Sequence, residues 1–219
     1  MKLLLSNTQR RYMLPWLRSL KSDYLLSTPS PWITFDAINY LKTRIRPGWR
    51  IFEYGSGGST LFWLRLGAHC VSVEHDPVWY SLIQARIELS SQMDYRLVLP
   101  SPMSSNSKPT DPADPEQYSS FGIPDHSFEQ YVTQIDSFPD QYFDMVVVDG
   151  RARPACIVHG ASKVKSGGLL VLDNADRDYY LEKTRHLVRH FTKYEFSGVI
   201  PGEFFYSQTN IYEQPSSPY

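Results

Sequence analysis

Ile51-Phe52-Glu53-Tyr54-Gly55-Ser56-Gly57-Gly58-Ser59-Thr60 leads into an apolar helical run and then into Val71-Ser72-Val73-Glu74-His75-Asp76. A short β-type run stops at a glycine turn, and a helix pattern opens at once with Leu61, Phe62, Leu64 and Leu66. A second β-type run ends on Glu74, about 20 positions after the first glycine, the spacing at which a carboxylate reaches ribose hydroxyls. Gly55 and Gly57 let the backbone turn sharply and approach a ligand closely. The helix after them presents unpaired N–H groups and the positive end of its dipole. The stretch is therefore a βαβ unit with Glu74 at the carboxyl end of its second strand.

The turn departs from the dinucleotide fingerprint G-x-G-x-x-G, because Thr60 stands where the third glycine belongs. What stands here is E-x-G-x-G-G, with Glu53 two places before the first glycine. A pyrophosphate would be repelled by Glu53, whereas a ligand carrying an ammonium group would be attracted. The segment resembles the first two motifs of class I S-adenosylmethionine-dependent methyltransferases. The resemblance implies a cofactor site of Glu53, Tyr54, Gly55, Ser56, Gly57, Ser59, Glu74, His75 and Asp149. Glu53 would lie near the methionine tail and Glu74 on the ribose.

At 219 residues the chain is long enough for one sizeable core. Its net charge of −1 gives no global field for nucleic acid or an anionic membrane, so neither is expected as a partner. The two cysteines, Cys70 and Cys156, form no C-x-x-C pair and read as buried free thiols in a reducing compartment. Met1–Leu5 is too short an apolar run for a signal peptide, and no stretch approaches a membrane span; a cytoplasmic location is the expectation.

Residues 8–26 carry an amphipathic pattern (Tyr12, Trp16, Leu17, Leu20, Tyr24) that Pro15 would bend or restart. A second helix is predicted over 32–44, followed by the first strand near 50–54. Helices are predicted near 58–67, 77–90, 127–138, 152–165 and 178–191. Strands are predicted near 70–75, 95–99, 143–149, 169–172, 193–199 and 204–213. Ser166-Gly167-Gly168 reads as a helix terminator. Pro100–Asp125 is rich in Ser, Pro and Asp, and a loop this long inside a domain is functional or disordered. It reads as a mobile lid or acceptor-specificity loop. Strands alternating with helices imply a Rossmann-like α/β fold, a mostly parallel sheet with helices on both faces. The last two strands suggest an antiparallel hairpin at one edge, and the resemblance implies seven strands in all. Residues 1–45 are expected as an N-terminal helical extension, a route to a homodimer. Residues 46–219 would form the methyltransferase-like domain, with an insertion at 100–125.

The fourth core strand ends Asp149-Gly150-Arg151-Ala152-Arg153 and the fifth ends Asp173-Asn174. Two carboxylates and an amide oxygen are hard ligands that suit Mg²⁺ or another divalent cation. Asp149, Asp173 and Asn174 resemble the metal site of catechol-type, cation-dependent O-methyltransferases, where the metal holds the acceptor hydroxyl. Arg151 and Arg153 depart from that pattern. Positive charge at a helix start is unfavourable, which points to an anionic group on the acceptor. Without a metal, Asp149 and Asp173-Asn174 read as a cofactor-side acid and helix caps. His126, at the end of the long loop, is the candidate general base beside Asp149, with Tyr118 and Tyr131 as lid residues. His186 and His190 have i,i+4 metal-ligand spacing but no third ligand.

These features make methyl transfer from S-adenosylmethionine to a small-molecule hydroxyl the leading expectation. The alternative is a catalytically inactive nucleoside-binding module that serves as a partner subunit, since fold alone does not establish activity.

Overall fold

The structure, a computed structural model, describes residues 9–21, 23–87, 92–103 and 110–216. The strands are β1 (Arg50–Tyr54), β2 (His69–Glu74), β3 (Met93–Leu97), β4 (Ser101–Pro102), β5 (His126–Ser127), β6 (Phe143–Val148), β7 (Val164–Leu172), β8 (Thr192–Val199) and β9 (Tyr206–Glu213). The helices are α1 (Met13–Ser19), α2 (Tyr24–Ser27), α3 (Phe35–Arg44), α4 (Gly58–Arg65), α5 (Pro77–Gln84), α6 (Glu129–Val132), α7 (Arg153–Ala161) and α8 (Arg185–Val188). Seven strands form one sheet in the order β3-β2-β1-β6-β7-β9-β8. The first five in that order are parallel, and β9 runs antiparallel to both β7 and β8. This is the Rossmann-like sheet expected, and its strand order reverses between β1 and β6. At such a switch point helices leave to opposite faces and open a crevice at the carboxyl ends.

Period-two alternation splits the strands between two layers. Phe52, Tyr54, Val146, Val148, Leu170 and Leu172 face a layer containing Phe128, Tyr131 and Ile157. Ile51, Met145, Val147, Leu169, Val171 and Ile211 face the opposite layer, with Ile38, Leu41 and Trp63. β6 is buried at every position, which is why it reads as a nearly continuous apolar run. Burying each large side chain here contributes about 1.5–3 kcal/mol. The described part of the arm joins the second layer. Tyr12 stacks on Phe35 with centroids 5.1 Å apart, and Trp16 donates to the Glu203 carbonyl at 2.6 Å. Pro15 lies in the first turn of α1, where its missing N–H leaves no helix bond unmade.

Several boundaries differ from the periodicity. Ser166-Gly167-Gly168 lies inside β7, because α7 stops at Ala161 and the strand begins at Val164. Gly167 has φ +73°, and a Cβ on Gly168 would stand 2.8 Å from the Lys165 carbonyl oxygen and 2.9 Å from that of Asp144. The pairing with β6 shifts register here, so the glycines build a bulge. The expected helix over 127–138 is one turn of α6 continued by a 3-10 turn, Thr133–Ser137, and that over 178–191 is a 3-10 turn, Asp178–Tyr180, and α8. α8 ends at Val188, so no helix holds His186 and His190 at i,i+4. β3 lies two residues earlier than expected, which preserves its facing. Part of the helix expected to Ser90 falls outside the described residues.

Candidate functional site

At the switch point two glycines meet. Gly55 turns with φ +86°, and a Cβ there would lie 2.8 Å from the Gly150 Cα. Conversely, a Cβ on Gly150 would lie 2.0 Å from the Tyr131 hydroxyl and 3.0 Å from the Gly55 nitrogen. The loops after β1 and β6 therefore cross at a distance only glycine permits. Asp149 N–H donates to the Tyr54 carbonyl at 3.1 Å and Gly55 N–H to that of Val73 at 2.9 Å, tying three strand ends together. The sequence singles out Gly55 but gives Gly150 no role of its own. A glycine directly after a strand-end acid was the available signal.

Glu53 is fully buried on the α4 side of β1. Its carboxylate accepts from Trp63 Nε1 at 2.8 Å, from Ser72 Oγ at 2.7 Å and from Thr60 Oγ1. Thr60 in turn accepts from Gly57 N–H at 3.1 Å. Burial raises the Glu53 pKa, and the donors from Thr60, Ser59, Ser72 and Trp63 oppose the rise. Glu53 thus holds the glycine turn from beneath instead of facing the rim, where a methionine tail was expected to meet it. The same geometry accounts for Thr60 at the third-glycine position: its hydroxyl links the turn to Glu53.

Glu74, at the carboxyl end of β2, is 3% exposed. One carboxylate oxygen accepts from His75 N–H at 2.7 Å and Asp76 N–H at 2.9 Å, and His75 Nδ1 lies 2.8 Å away. The other accepts from Ser56 N–H at 3.1 Å and Ser56 Oγ at 2.9 Å. Burial would raise this carboxyl, but the donors from His75, Asp76 and Ser56 bring it below the ordinary value. Ser56 Oγ also meets Tyr95 Oη at 2.6 Å, and Trp79 Nε1 donates to the Ser56 carbonyl at 2.8 Å. His75 Nε2 accepts from Arg151 Nε at 3.3 Å, which joins the β2 rim to the β6 rim. Gly58 opens α4 beneath the arm, where a Cβ would stand 2.3 Å from the Leu25 carbonyl oxygen and 2.5 Å from that of Ser30. The arm therefore closes over the glycine turn.

Asp149 and Asp173 are brought together, but a cation of the chain's own stands between them. Arg153 donates through Nη2 to Asp149 Oδ1 and to the Asp149 carbonyl, both at 3.0 Å, through Nε to the Gly150 carbonyl at 3.0 Å, and through Nη1 to the Asp173 carbonyl. Its guanidinium also lies 5.2 Å from the Tyr180 ring centroid. Asp173 Oδ1 accepts from Thr209 Oγ1 at 2.8 Å, and the Asn174 amide donates to Ser207 Oγ at 3.0 Å. The divalent-cation site expected from Asp149, Asp173 and Asn174 does not fit this arrangement. A guanidinium occupies the gap between the acids, and the amide turns toward β9. Among the described residues, no group of three or more His, Cys, Asp or Glu could hold a metal. Burial raises both carboxyls, Asp149 well above the ordinary range with a further push from Asp173, while Arg153 pulls both down.

Beside this cluster is a cavity of about 310 Å³. Its walls come from the long loop (Ser119, Ser120, Phe121), the start of α7 (Gly150 to Pro154) and the segment after β7 (Arg177, Tyr179, Tyr180). Ala152 has φ +47° and Asn174 φ +48°, backbone strain that costs about 1–3 kcal/mol per residue and clusters at functional rims. The described part of the loop is pinned. β4 pairs with β5, Asp114 meets Lys183 at 2.9 Å, and Tyr118 Oη lies 3.3 Å from His159 Nε2. His159 Nδ1 in turn lies 2.9 Å from Asp136. The expectation of a mobile lid falls partly on 104–109, outside the described residues. His126 pairs with Pro102 and does not line the cavity. Tyr131 is fully buried in the core and is not a lid residue. Arg177 and Ser119 were not singled out in the sequence, because their place depends on how separate loops fold onto one rim.

No family model and no curated protein matches the chain. Solved structures do. An O-methyltransferase from Bacillus cereus in complex with SAH is 14% identical with a TM-score of 0.58, over 91% of this chain and 90% of that one. TomG from Streptomyces achromogenes, an O-methyltransferase involved in tomaymycin synthesis solved with SAM, is 15% identical with a TM-score of 0.59, over 99% and 100%. A methyltransferase-like protein from Silicibacter pomeroyi DSS-3 is 21% identical with a TM-score of 0.51, over 87% and 92%. What the chain shares with them is the fold: a Rossmann-like methyltransferase sheet spanning nearly its whole length.

Proposed function

We propose that the chain is an S-adenosylmethionine-dependent methyltransferase acting on an oxygen of a small molecule held in the cavity beside Asp149. The observation that carries this reading is the Gly55–Gly150 crossing at the switch point, flanked by the carboxylate of Glu74. Glu74 keeps three backbone donors, from Ser56, His75 and Asp76, and one exchangeable donor, the Ser56 hydroxyl. A ribose hydroxyl can replace that serine hydroxyl without leaving a buried backbone N–H unpaired. Structural neighbours solved with SAM and SAH supply the nucleoside by likeness.

When bound, the cofactor supplies an electrophilic methyl group on a sulfonium. The chain's own task is to orient an acceptor oxygen in line with that carbon, exclude water and take the acceptor's proton. Asp149 is the residue we assign to take it: it stands at the switch point next to Gly150, which lines the cavity, and its raised pKa makes it a stronger base than an ordinary carboxylate. Asp149 would hold the acceptor's proton on its carboxylate, and the cofactor, when bound, would supply the methyl group. No step needs a divalent cation.

Calorimetry with S-adenosylmethionine, S-adenosylhomocysteine and NAD tests the cofactor, and tighter NAD binding would reject it. Glu74→Ala is expected to weaken nucleoside binding by about 1–3 kcal/mol. Turnover with a panel of small hydroxylated molecules separates the enzyme from a nucleoside-binding module, which would bind without producing S-adenosylhomocysteine. Activity retained in excess chelator is expected for the cation-independent route.

A further inference from the structure

The cavity beside Asp149 has an unbalanced wall. Arg151, Arg153 and Arg177 all line it, and no Asp or Glu does. The chain as a whole carries a net charge of −1, so this concentration of positive charge is local. Arg153 is already committed to Asp149 and to three backbone carbonyls. The other two are not. Among the described residues, no carboxylate lies within ion-pair distance of Arg151 or Arg177. Arg151 Nε donates to His75 Nε2 at 3.3 Å, and Arg177 Nη1 to the Tyr180 hydroxyl at 2.8 Å. Each retains further N–H donors. A second, independent observation comes from another lining residue. Ser119 is 2% exposed, and its hydroxyl has no hydrogen-bond partner. A buried hydroxyl left unpaired is uncommon and costly in a folded protein.

We propose that Arg151, Arg177 and Ser119 form a subsite for an oxyanion on the bound small molecule, either a carboxylate or a phosphate ester. Two guanidinium groups match the planar or tetrahedral oxygens of such a group through charge-assisted bonds, and Ser119 donates the remaining bond. The volume limits the ligand. About 310 Å³ holds roughly ten waters at about 30 Å³ each, room for a single ring with its anionic arm. The sequence alone pointed to Arg151 and Arg153 as the anion-binding pair. Folding commits Arg153 to Asp149 and brings Arg177 in from the segment after β7. The identification of the anion's carrier as the methyl acceptor rests on the proposed function, whereas anion binding itself does not.

The full chain is titrated calorimetrically with benzoate, phenyl phosphate and the neutral analogue benzamide, and separately with S-adenosylhomocysteine. At least one anion should bind about tenfold or more tightly than benzamide, and weaken as salt is raised. Whether benzoate or phenyl phosphate binds better distinguishes a carboxylate site from a phosphate site. Arg177→Gln and Arg151→Gln should each weaken the preferred anion about tenfold or more, Ser119→Ala severalfold, and Arg177→Lys less than Arg177→Gln. Arg86→Gln, at the end of α5, should leave anion binding unchanged. Equal binding of benzamide and both anions, or equal losses in Arg177→Gln and Arg86→Gln, would overturn the subsite. Thermal unfolding of each variant separates a lost contact from a lost fold. Anion binding without nucleoside binding would sink the methyltransferase reading and leave the subsite standing. Nucleoside binding without anion selectivity would do the reverse.

Discussion

Two buried charged residues, Glu53 beneath the glycine turn and Arg153 at the rim, hold structure in different ways. Glu53 accepts from Thr60, Trp63 and Ser72 and has no counter-ion among those partners. Glu53→Gln would aim an amide N–H₂ at groups that can only donate or already do. It is expected to destabilise the fold by about 1–3 kcal/mol in urea unfolding, and an unchanged midpoint would contradict the role given to Glu53. Arg153 bridges Asp149 and the β7 rim, and its removal is expected to cost about 3–5 kcal/mol at neutral pH. The sign with pH follows from the carboxyls. Both are raised on folding, so their own contribution is full at low pH and is lost as pH rises through their folded values. Arg153 opposes that loss by favouring the ionised forms. The cost of Arg153→Met, measured by urea unfolding across pH, should therefore shrink as pH falls through the raised values of these carboxyls and they protonate. A cost independent of pH would refute the bridge.

Between elements, the glycine crossing controls how closely β1 and β6 deliver their loops. Gly150→Ala places a methyl against the Tyr131 hydroxyl and the Gly55 nitrogen. The expected loss is about 1–3 kcal/mol, the usual cost of overpacking. Tyr131→Phe removes the nearer obstacle, so the double variant should lose less than the sum of the two single losses. Strict additivity in thermal unfolding would show that the hydroxyl does not limit the approach. The pinned loop belongs to the same scale. Its composition pointed to disorder because Ser, Pro and Asp offer little apolar surface to bury. Local polar contacts, Asp114 with Lys183 and Tyr118 with His159, order its described part instead. Composition does not record such contacts.

For the whole molecule, the arm decides how much surface the sheet leaves uncovered. Tyr12 and Trp16 turn inward, whereas Met13, Leu14 and Leu17 remain exposed. Trp16→Ala is expected to destabilise the chain by about 3–5 kcal/mol, as truncation of a core aromatic does. A loss below about 1 kcal/mol would mean that the arm rests on the domain without contributing to its core. The expected pairing of two copies through the arm uses these outward residues. Sedimentation equilibrium should then report more than 25.3 kDa for the natural chain and a return to that mass for Leu14→Glu.

The sequence by itself determined the parallel core and its glycine turn, because both are written in short-range pattern. The alternating and continuous apolar runs of β1 and β6, the turn at Gly55 and the acid closing β2 depend on neighbours only a few residues away. Helix ends near Gly167 and Asp178 were less legible, since β-bulges and 3-10 turns are chosen by pairing partners distant in the chain. Only the tertiary structure decided which charges meet. Asp149, Asp173 and Asn174 have the composition of a metal site, yet Arg153, four residues after Asp149, reaches the gap first, and the amide of Asn174 faces Ser207. Spacing supplies candidate ligands, but side-chain direction and the competition for a shared gap are settled only when strand ends converge in three dimensions.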